Sequence, residues 1–249
     1  MKAFEGKISV IMPAHNEGSH IYSNLRETER VFREAGADFE IVLVDDGSGD
    51  DTYDQAVRAA KEIPELRVER YDVNSGKGNA IKAGWSLAAG DAVVFLDADL
   101  DLHPAQLNTL FRIMREQDAD VVIGSKRHPE SKIEYPLRRR IISDVYAAVL
   151  WVLFGLPLKD TQSGIKLYKK RVLDAVFPYV ECKRYAFDVE LLAHAHAAGY
   201  KIVESPIVLN FRRERRWGRI GLKTLVRTGI DTLAVFYRVR FTRRYRANT

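Results

Sequence analysis

Cysteine is nearly absent. Cys182 stands alone among 249 residues, which excludes an intrachain disulfide and any cysteine-based metal cluster and fits a reducing cytosol. The two commonest nucleotide signatures are missing as well. No G-x-G-x-x-G follows the first apolar run, which argues against a dinucleotide-binding fold. Gly76-Lys77-Gly78 falls short of the G-x-x-x-x-G-K-[ST] of a P-loop. The N-terminal M-K-A-F-E-G-K has no apolar stretch that would serve as a signal peptide. The uncharged run Val145–Leu158 has fourteen residues, too few to span a bilayer, which takes about 20. His194 and His196 are two apart, hence on different faces of a helix, a poor arrangement for sharing a metal.

What is present reads as globular: 46% hydrophobic and 29% charged, long enough for one large α/β domain or a domain plus a small appendage. The charge is unevenly spread. From Ser205 to Thr249, eleven Arg and one Lys stand against Glu214 and Asp231, a net of +10 in a chain of net +5, so the preceding residues carry −5. An acidic-leaning body with a basic tail implies an anionic partner surface, lipid or nucleic acid.

Short apolar runs alternate with helical patterns. Ile8–Met12, Phe39–Val44, Leu66–Tyr71, Asp91–Leu96 and Asp120–Ile123 read as strands, with helices of about 19–35, 50–62 and 103–117 between them and a glycine-containing loop, Asn74–Ala80, leading into a further helix that ends at Ala89. Asp50 or Asp51 is the expected cap of the second helix. This alternation predicts a doubly wound, mostly parallel α/β sheet. Ligands bind such sheets outside the carboxyl ends of the strands. Polar loops stand at four of those ends: Pro13–Glu17, Asp45–Ser48, Asp97–Asp101 and Gly124–Arg127. In the third, Asp97, Asp99 and Asp101 crowd three negative charges into five residues. Such a turn is tolerable if solvated, or if a divalent cation sits between the carboxylates.

The second half has a different texture. Arg138-Arg139-Arg140 leads into Val145–Leu158, which is apolar nearly all round and is therefore either core or a membrane-interface segment. Asp160–Tyr168 reads as a polar turn and a short strand, Tyr185–Gly199 as a helix carrying F-D-V-E, and Lys201–Phe211 as a strand. The basic cluster Arg212–Arg219 follows. The last helix, about 221–240, puts Leu222, Leu225, Val226, Ile230, Leu233 and Tyr237 on one face, with Lys223, Arg227 and Arg238 largely elsewhere. That is a basic amphipathic helix, with Trp217 as an interfacial anchor; its apolar face packs either on lipid or on the protein's own body. The organisation expected is a domain over 1–211, with an interface helix at 138–158 inside it, and a membrane-associating segment over 212–249.

Seven motifs in order, V-I-M-P-A-H-N-E, V-D-D-G-S-x-D, N-S-G-K-G-N-A, G-D-A-V-V-F-L-D-A-D-L, G-S-K-R, D-T-Q-S-G-I-K-L and A-F-D-V-E-L-L, cover nearly the whole chain. In these the sequence resembles the inverting family 2 glycosyltransferases of GT-A fold, and within them the polyprenyl-phosphate sugar synthases, such as dolichyl-phosphate mannose and glucose synthases. The resemblance implies that Pro13, Ala14, His15, Glu17, Asp45 and Asp46 hold the nucleotide, with Lys77 and Ala98 beside it. It implies that Asp97, Asp99 and Asp101 handle Mg²⁺ or Mn²⁺ and the donor diphosphate. Asp160 and Gln162 then lie near the reacting sugar, and Lys126, Arg127, Arg139 and Arg215 near the acceptor phosphate. The chain departs from the family pattern at His15, where tyrosine is commoner, at Asp101 for glutamine, and at Lys126 for arginine. It also lacks the S-K that usually follows the last glycine.

The chemistry is coherent. A nucleotide-sugar leaves behind a diphosphate, whose charge a hard cation neutralises. A lipid monophosphate is already largely dianionic at neutral pH, its second pKa being near ~6, and needs positive charge rather than a general base. The expected partners are a nucleotide-sugar, a polyprenyl or dolichyl phosphate and an anionic membrane surface, met at the cytoplasmic face without a transmembrane helix. A family 2 transferase with a saccharide or other soluble acceptor is the main alternative, and it calls for a catalytic base near Asp160 or Asp188. A nucleic-acid-binding protein is a remote one, since the tail carries no recognised nucleic-acid motif.

Overall fold

The computed structural model describes residues 4–132, 137–183, 186–209 and 222–241, with side chains left out at 137–142 and 222–228. Its elements follow the sequence pattern closely at first: β1 (Ile8–Ala14), α1 (Gly18–Glu34), β2 (Phe39–Asp46), α2 (Thr52–Ala60), β3 (Leu66–Tyr71), α3 (Lys77–Leu87) and β4 (Ala92–Leu96). A 3₁₀ turn at Pro104–Gln106 then leads into α4 (Leu107–Glu116), where one continuous helix was expected. His103 caps that turn by accepting from the Ala105 N–H. The chain continues through β5 (Val121–Ser125), α5 (Leu137–Phe154), β6 (Ile165–Lys169), α6 (Lys170–Val176), α7 (Phe187–Ala197), β7 (Ile202–Pro206) and α8 (Leu222–Phe241).

The seven strands form one sheet in the order β3-β2-β1-β4-β6-β5-β7. β1 to β4 are parallel, as is the β5–β7 pair, while β6 runs antiparallel to both β4 and β5. This reversal has a consequence for the site. Leu96, the last residue of β4, pairs with Ile165, the first of β6. The loop entering β6 is therefore delivered to the rim where β4 ends.

β4 and β5 are buried at every position, as strands covered on both faces should be. Successive side chains point to opposite sides. Val10, Met12, Val94 and Leu96 join α1, α2 and α4 in one core, while Ile11, Val93, Phe95 and Tyr168 join α3, α5, α6 and α7 in the other. Val235 of α8 belongs to this second core.

α5 and α8 answer a question that the sequence left open. α5 buries Leu150 and Phe154 but leaves Val145, Val149, Trp151 and Val152 exposed. In α8, Thr232 and Val235 face the body, with Phe236 and Val239 partly covered. Ile230, Leu233 and Tyr237, expected on one apolar face, are each at least 60% exposed, and Phe241 extends the same side. The helix thus has a second apolar face, which the protein's own body does not cover. The two helices touch through Phe154 and Phe236 and through Tyr146 and Thr232, whose hydroxyls are 3.1 Å apart.

Candidate active site

The loops after β1 and β2 clasp one another. The N–H groups of Asn16, Glu17 and Gly18 donate to Ser48 Oγ, Thr52 Oγ1 and Asp50 Oδ2, and Gly49 N–H donates to Asn16 Oδ1. The α1 N-terminus has no side-chain cap of its own, so Asp50, from the following loop, takes one of its orphan N–H groups. Asp50 also accepts from Thr52 N–H at the start of α2, whereas Asp51, the boundary residue, makes no side-chain cap bond. The Asn16 amide donates to His15 Nε2, so His15 Nδ1 carries the proton and donates to the Asp46 carbonyl. These two contacts orient the His15 ring at the cleft.

The acidic turn is built as tightly. Leu100 sits at φ +50°, a left-handed conformation that costs a non-glycine residue energy and is held only when its surroundings demand it. The Asn24 amide of α1 anchors the turn through the Ala98 carbonyl at 2.8 Å. Asp97 N–H donates to the Gly164 carbonyl, at 3.0 Å. A Cβ on Gly164 would lie 2.4 Å from Asp97 Oδ2. The glycine of D-T-Q-S-G is therefore what lets the β6 loop press against the first aspartate.

A cleft of about 640 Å³ opens at this rim. Of the residues expected at the site, Pro13, Ala14, His15, Glu17, Asp46, Lys77, Asp97, Ala98, Asp99 and Gln162 line it. Lys77 Nζ lies 2.5 Å from Asp97 Oδ1. Burial works against this ammonium, but Asp97, Asp188 and Asp99 outweigh it and raise its pKa, so it stays charged at any physiological pH.

Other expected residues lie elsewhere. Asp45 is fully buried beneath the cleft, where Oδ1 accepts from Ser48 N–H and Arg70 Nε stands 3.4 Å from Oδ2. Asp160 is buried behind the rim; it accepts from the N–H groups of Lys126 and Gln162, with Lys126 Nζ at 3.7 Å. Arg127 pairs with Asp144 of α5. Neither Lys126 nor Arg127 is among the cleft-lining residues. The Arg139 side chain and all of Arg215, Trp217 and the Arg212–Arg219 cluster lie outside the described residues.

The three-aspartate cation cage is not preformed. Asp101 is not among the lining residues, and its backbone N–H donates to Asp99 Oδ1 at 3.1 Å. Among the described residues, no three His, Cys, Asp or Glu side chains gather to hold a metal. Asp97 and Asp99 offer hard oxygens of the right chemistry for Mg²⁺ or Mn²⁺, the remaining oxygens of such a shell coming from a bound diphosphate and water.

Asn74, Gly76, Phe187 and Asp188 also line the cleft. All four fall inside motifs visible in the sequence, but only folding shows that they face it. Asp188 is held by Lys166, a nearly fully buried lysine whose Nζ lies 2.7 Å from Asp188 Oδ1 and 2.6 Å from the Ser163 carbonyl.

The architecture, a mostly parallel sheet with its cleft at the strand ends, is GT-A. Glucosyl-3-phosphoglycerate synthase of Mycobacterium tuberculosis, solved with Mn²⁺, UDP-glucose and phosphoglyceric acid, superposes with a TM-score of 0.66 at 22% identity, over 94% of this chain and 79% of that one. The same enzyme with Mg²⁺ and UDP gives a TM-score of 0.68 at 21% identity. Residues 9–177 match the family described as Glycosyl transferase family 2, and the chain belongs to that family. An undecaprenyl-phosphate mannosyltransferase of Micrococcus luteus is 34% identical over 81% of this chain and 82% of its own length. A dolichyl-phosphate beta-glucosyltransferase of Trichomonas vaginalis is 30% identical over 93% of this chain and 74% of its own. Glycosyltransferase AglD of Haloferax volcanii is also 30% identical, but the chain spans only 32% of that protein's length.

Proposed function

We propose that the protein transfers a hexose from a nucleotide-sugar, GDP-mannose or UDP-glucose, to a polyprenyl or dolichyl phosphate, inverting the anomeric centre to give a β-linked lipid-phosphate sugar. The observation that carries this is the meeting of Asp97, Asp99 and Lys77 in one cleft with the β1 and β2 loops. Family membership and the lipid-phosphate acceptors named for two relatives support it.

In this reading Pro13, Ala14, His15, Glu17 and Asp46 receive the nucleoside, and Asp45 stiffens the turn beneath it. Lys77 leaves Asp97 for the donor diphosphate and stabilises the charge that develops there. Asp97 and Asp99 would hold a divalent cation beside the diphosphate, and its chemistry there would be Lewis-acid neutralisation of the same charge. An acceptor phosphate oxygen forms the new bond to the anomeric carbon as the bond to the diphosphate breaks. No proton need be removed from that oxygen, and Gln162 lies at the reacting end of the cleft. Of the candidate bases for a saccharide acceptor, Asp188 lines the cleft with one oxygen held by Lys166, and Asp160 is buried and accepts from two backbone N–H groups. Lys126, Arg127, Arg139 and Arg215 are the cations we assign to the acceptor phosphate.

The uncovered apolar sides of α5 and α8 are the surface we assign to the membrane, as a peripheral or monotopic contact at the cytoplasmic face. No helix among the described residues is long and apolar enough to cross a membrane. The test is a donor screen, UDP-glucose against GDP-mannose, with a polyprenyl phosphate and Mg²⁺ or Mn²⁺. Sugar transfer to the lipid phosphate is expected. Transfer to a saccharide hydroxyl, with none to the lipid, would overturn the reading.

A further inference from the structure

Lys77 stands at the first position of α3, and the end of the helix that carries it has no cap of its own. Gly76 precedes it and offers no side chain. The Gly78 N–H, in the first turn, lacks an intrahelical acceptor and donates instead to the Lys183 carbonyl at 3.0 Å. The fit there is close: a Cβ on Gly78 would lie 2.8 Å from the Phe187 ring and 2.9 Å from the Cys182 carbonyl. Lys82, one turn on, donates to the Val180 carbonyl at 3.2 Å. The 180–183 loop is thus the bed on which the start of α3 rests.

That loop is itself held from below. Glu190 of α7 is fully buried, and its Oε2 accepts the N–H groups of Glu181 and Cys182 at 2.9 and 2.6 Å. A buried carboxylate persists only with a compensating charge. Arg238 of α8 supplies it, with Nε 2.6 Å from Glu190 Oε1, and its second nitrogen lies 3.1 Å from Cys182 Sγ. The connection runs unbroken from α8 through Arg238 and Glu190 to the loop, to Gly78, and so to Lys77 on Asp97.

We propose that Arg238 and Glu190 are positioning residues for Lys77, setting the donor end of the cleft from the C-terminal helix. The inference rests on the nucleotide-sugar reading above for what Lys77 binds, but the strut itself does not. Neither residue is among those lining the cleft, and the 180–183 loop links both to the start of α3. Tyr237 and Leu233, on the open side of α8, place the outer end of the strut at the exposed apolar surface.

Amide exchange and nucleotide binding test this separately. In the ligand-free protein, R238Q is expected to speed exchange at Gly78 and in the 180–183 loop by about tenfold, the scale of one lost charge-assisted hydrogen bond. R240Q, on the exposed side of the same helix, is expected to leave it unchanged. The affinity of R238Q for UDP or GDP with Mn²⁺ is expected to fall by a similar factor. Should R238Q fail to fold, E190Q, which keeps the shape and one acceptor oxygen but loses the charge, is read in the same way. A lowered melting temperature with wild-type Gly78 exchange and wild-type nucleotide affinity would overturn the proposal. If wild type binds neither nucleotide, the donor reading falls, and Gly78 exchange in the free protein still decides the strut.

Discussion

At the scale of single residues, the site depends on close approach more than on charge. Asp97 is visible in the sequence as an acid at a strand end, but its orientation comes from Gly164, sixty-seven positions along in number and adjacent in space. G164A puts a methyl group 2.4 Å from Asp97 Oδ2, well inside van der Waals contact. Displacing a reacting group by about 1 Å costs roughly a hundredfold in rate. Overpacking of this kind costs about 1–3 kcal/mol in stability. G164A is accordingly expected to fold with a modestly lower melting temperature and to lose about a hundredfold in kcat/KM for the donor. Wild-type kinetics for G164A would show that the contact does not set Asp97. The acidic turn also shows where residue-level reading ends. Asp97, Asp99 and Asp101 look equivalent as letters. In the fold Asp97 and Asp99 line the cleft, while the Asp101 backbone N–H donates to Asp99 Oδ1.

At the scale of elements, strands β1, β2, β4 and β5 were legible because each is a short apolar run closed by a polar loop. The direction of β6 was not, because a five-residue strand carries no mark of which way it runs. Its antiparallel course brings Gln162 and Gly164 to Asp97. The faces of α8 were legible only in part. Periodicity identified Ile230, Leu233 and Tyr237 as one stripe, but gave no sign that Thr232 and Val235 would make the inward face. The open stripe bears on membrane contact. Each apolar side chain moved from water is worth about 1.5–3 kcal/mol. The double variant I230D/L233D is therefore expected to retain its fold and to bind phosphatidylcholine–phosphatidylglycerol vesicles at least about tenfold more weakly than wild type in co-sedimentation. Equal sedimentation of the two forms would remove α8 from the membrane contact.

At the scale of the whole molecule, one sheet separates two cores, and the second also carries ionisable groups that the proposed chemistry does not use. His194 of α7 is buried there beside the Tyr179 ring. Burial lowers its pKa below the ordinary 6.5; Arg238 pushes the same way and Glu190 opposes. The folded state thus prefers the neutral imidazole, and as pH falls the unfolded chain takes up the proton first. Stability from this group is present above about pH 6.5 and is lost as pH drops below it. The melting temperature of wild type should fall between about pH 7 and about pH 5 more steeply than that of H194F. Parallel curves for the two would assign the acid sensitivity to other groups.

The sequence by itself determined the layered α/β architecture, the rim on which the polar loops stand and the residue types of the site. Hydrophobic period and strand-end position are local properties, and local order is written in consecutive letters. The tertiary structure decided what depends on distant segments meeting. It made Asp45 a buried support and Asp46 a cleft residue. It tied Lys166 to Asp188, set Gly164 against Asp97, and joined α8 to the start of α3 through Arg238 and Glu190. Burial and ion pairing belong to pairs of residues far apart in the chain, and the partner's identity is fixed only when the sheet closes around both.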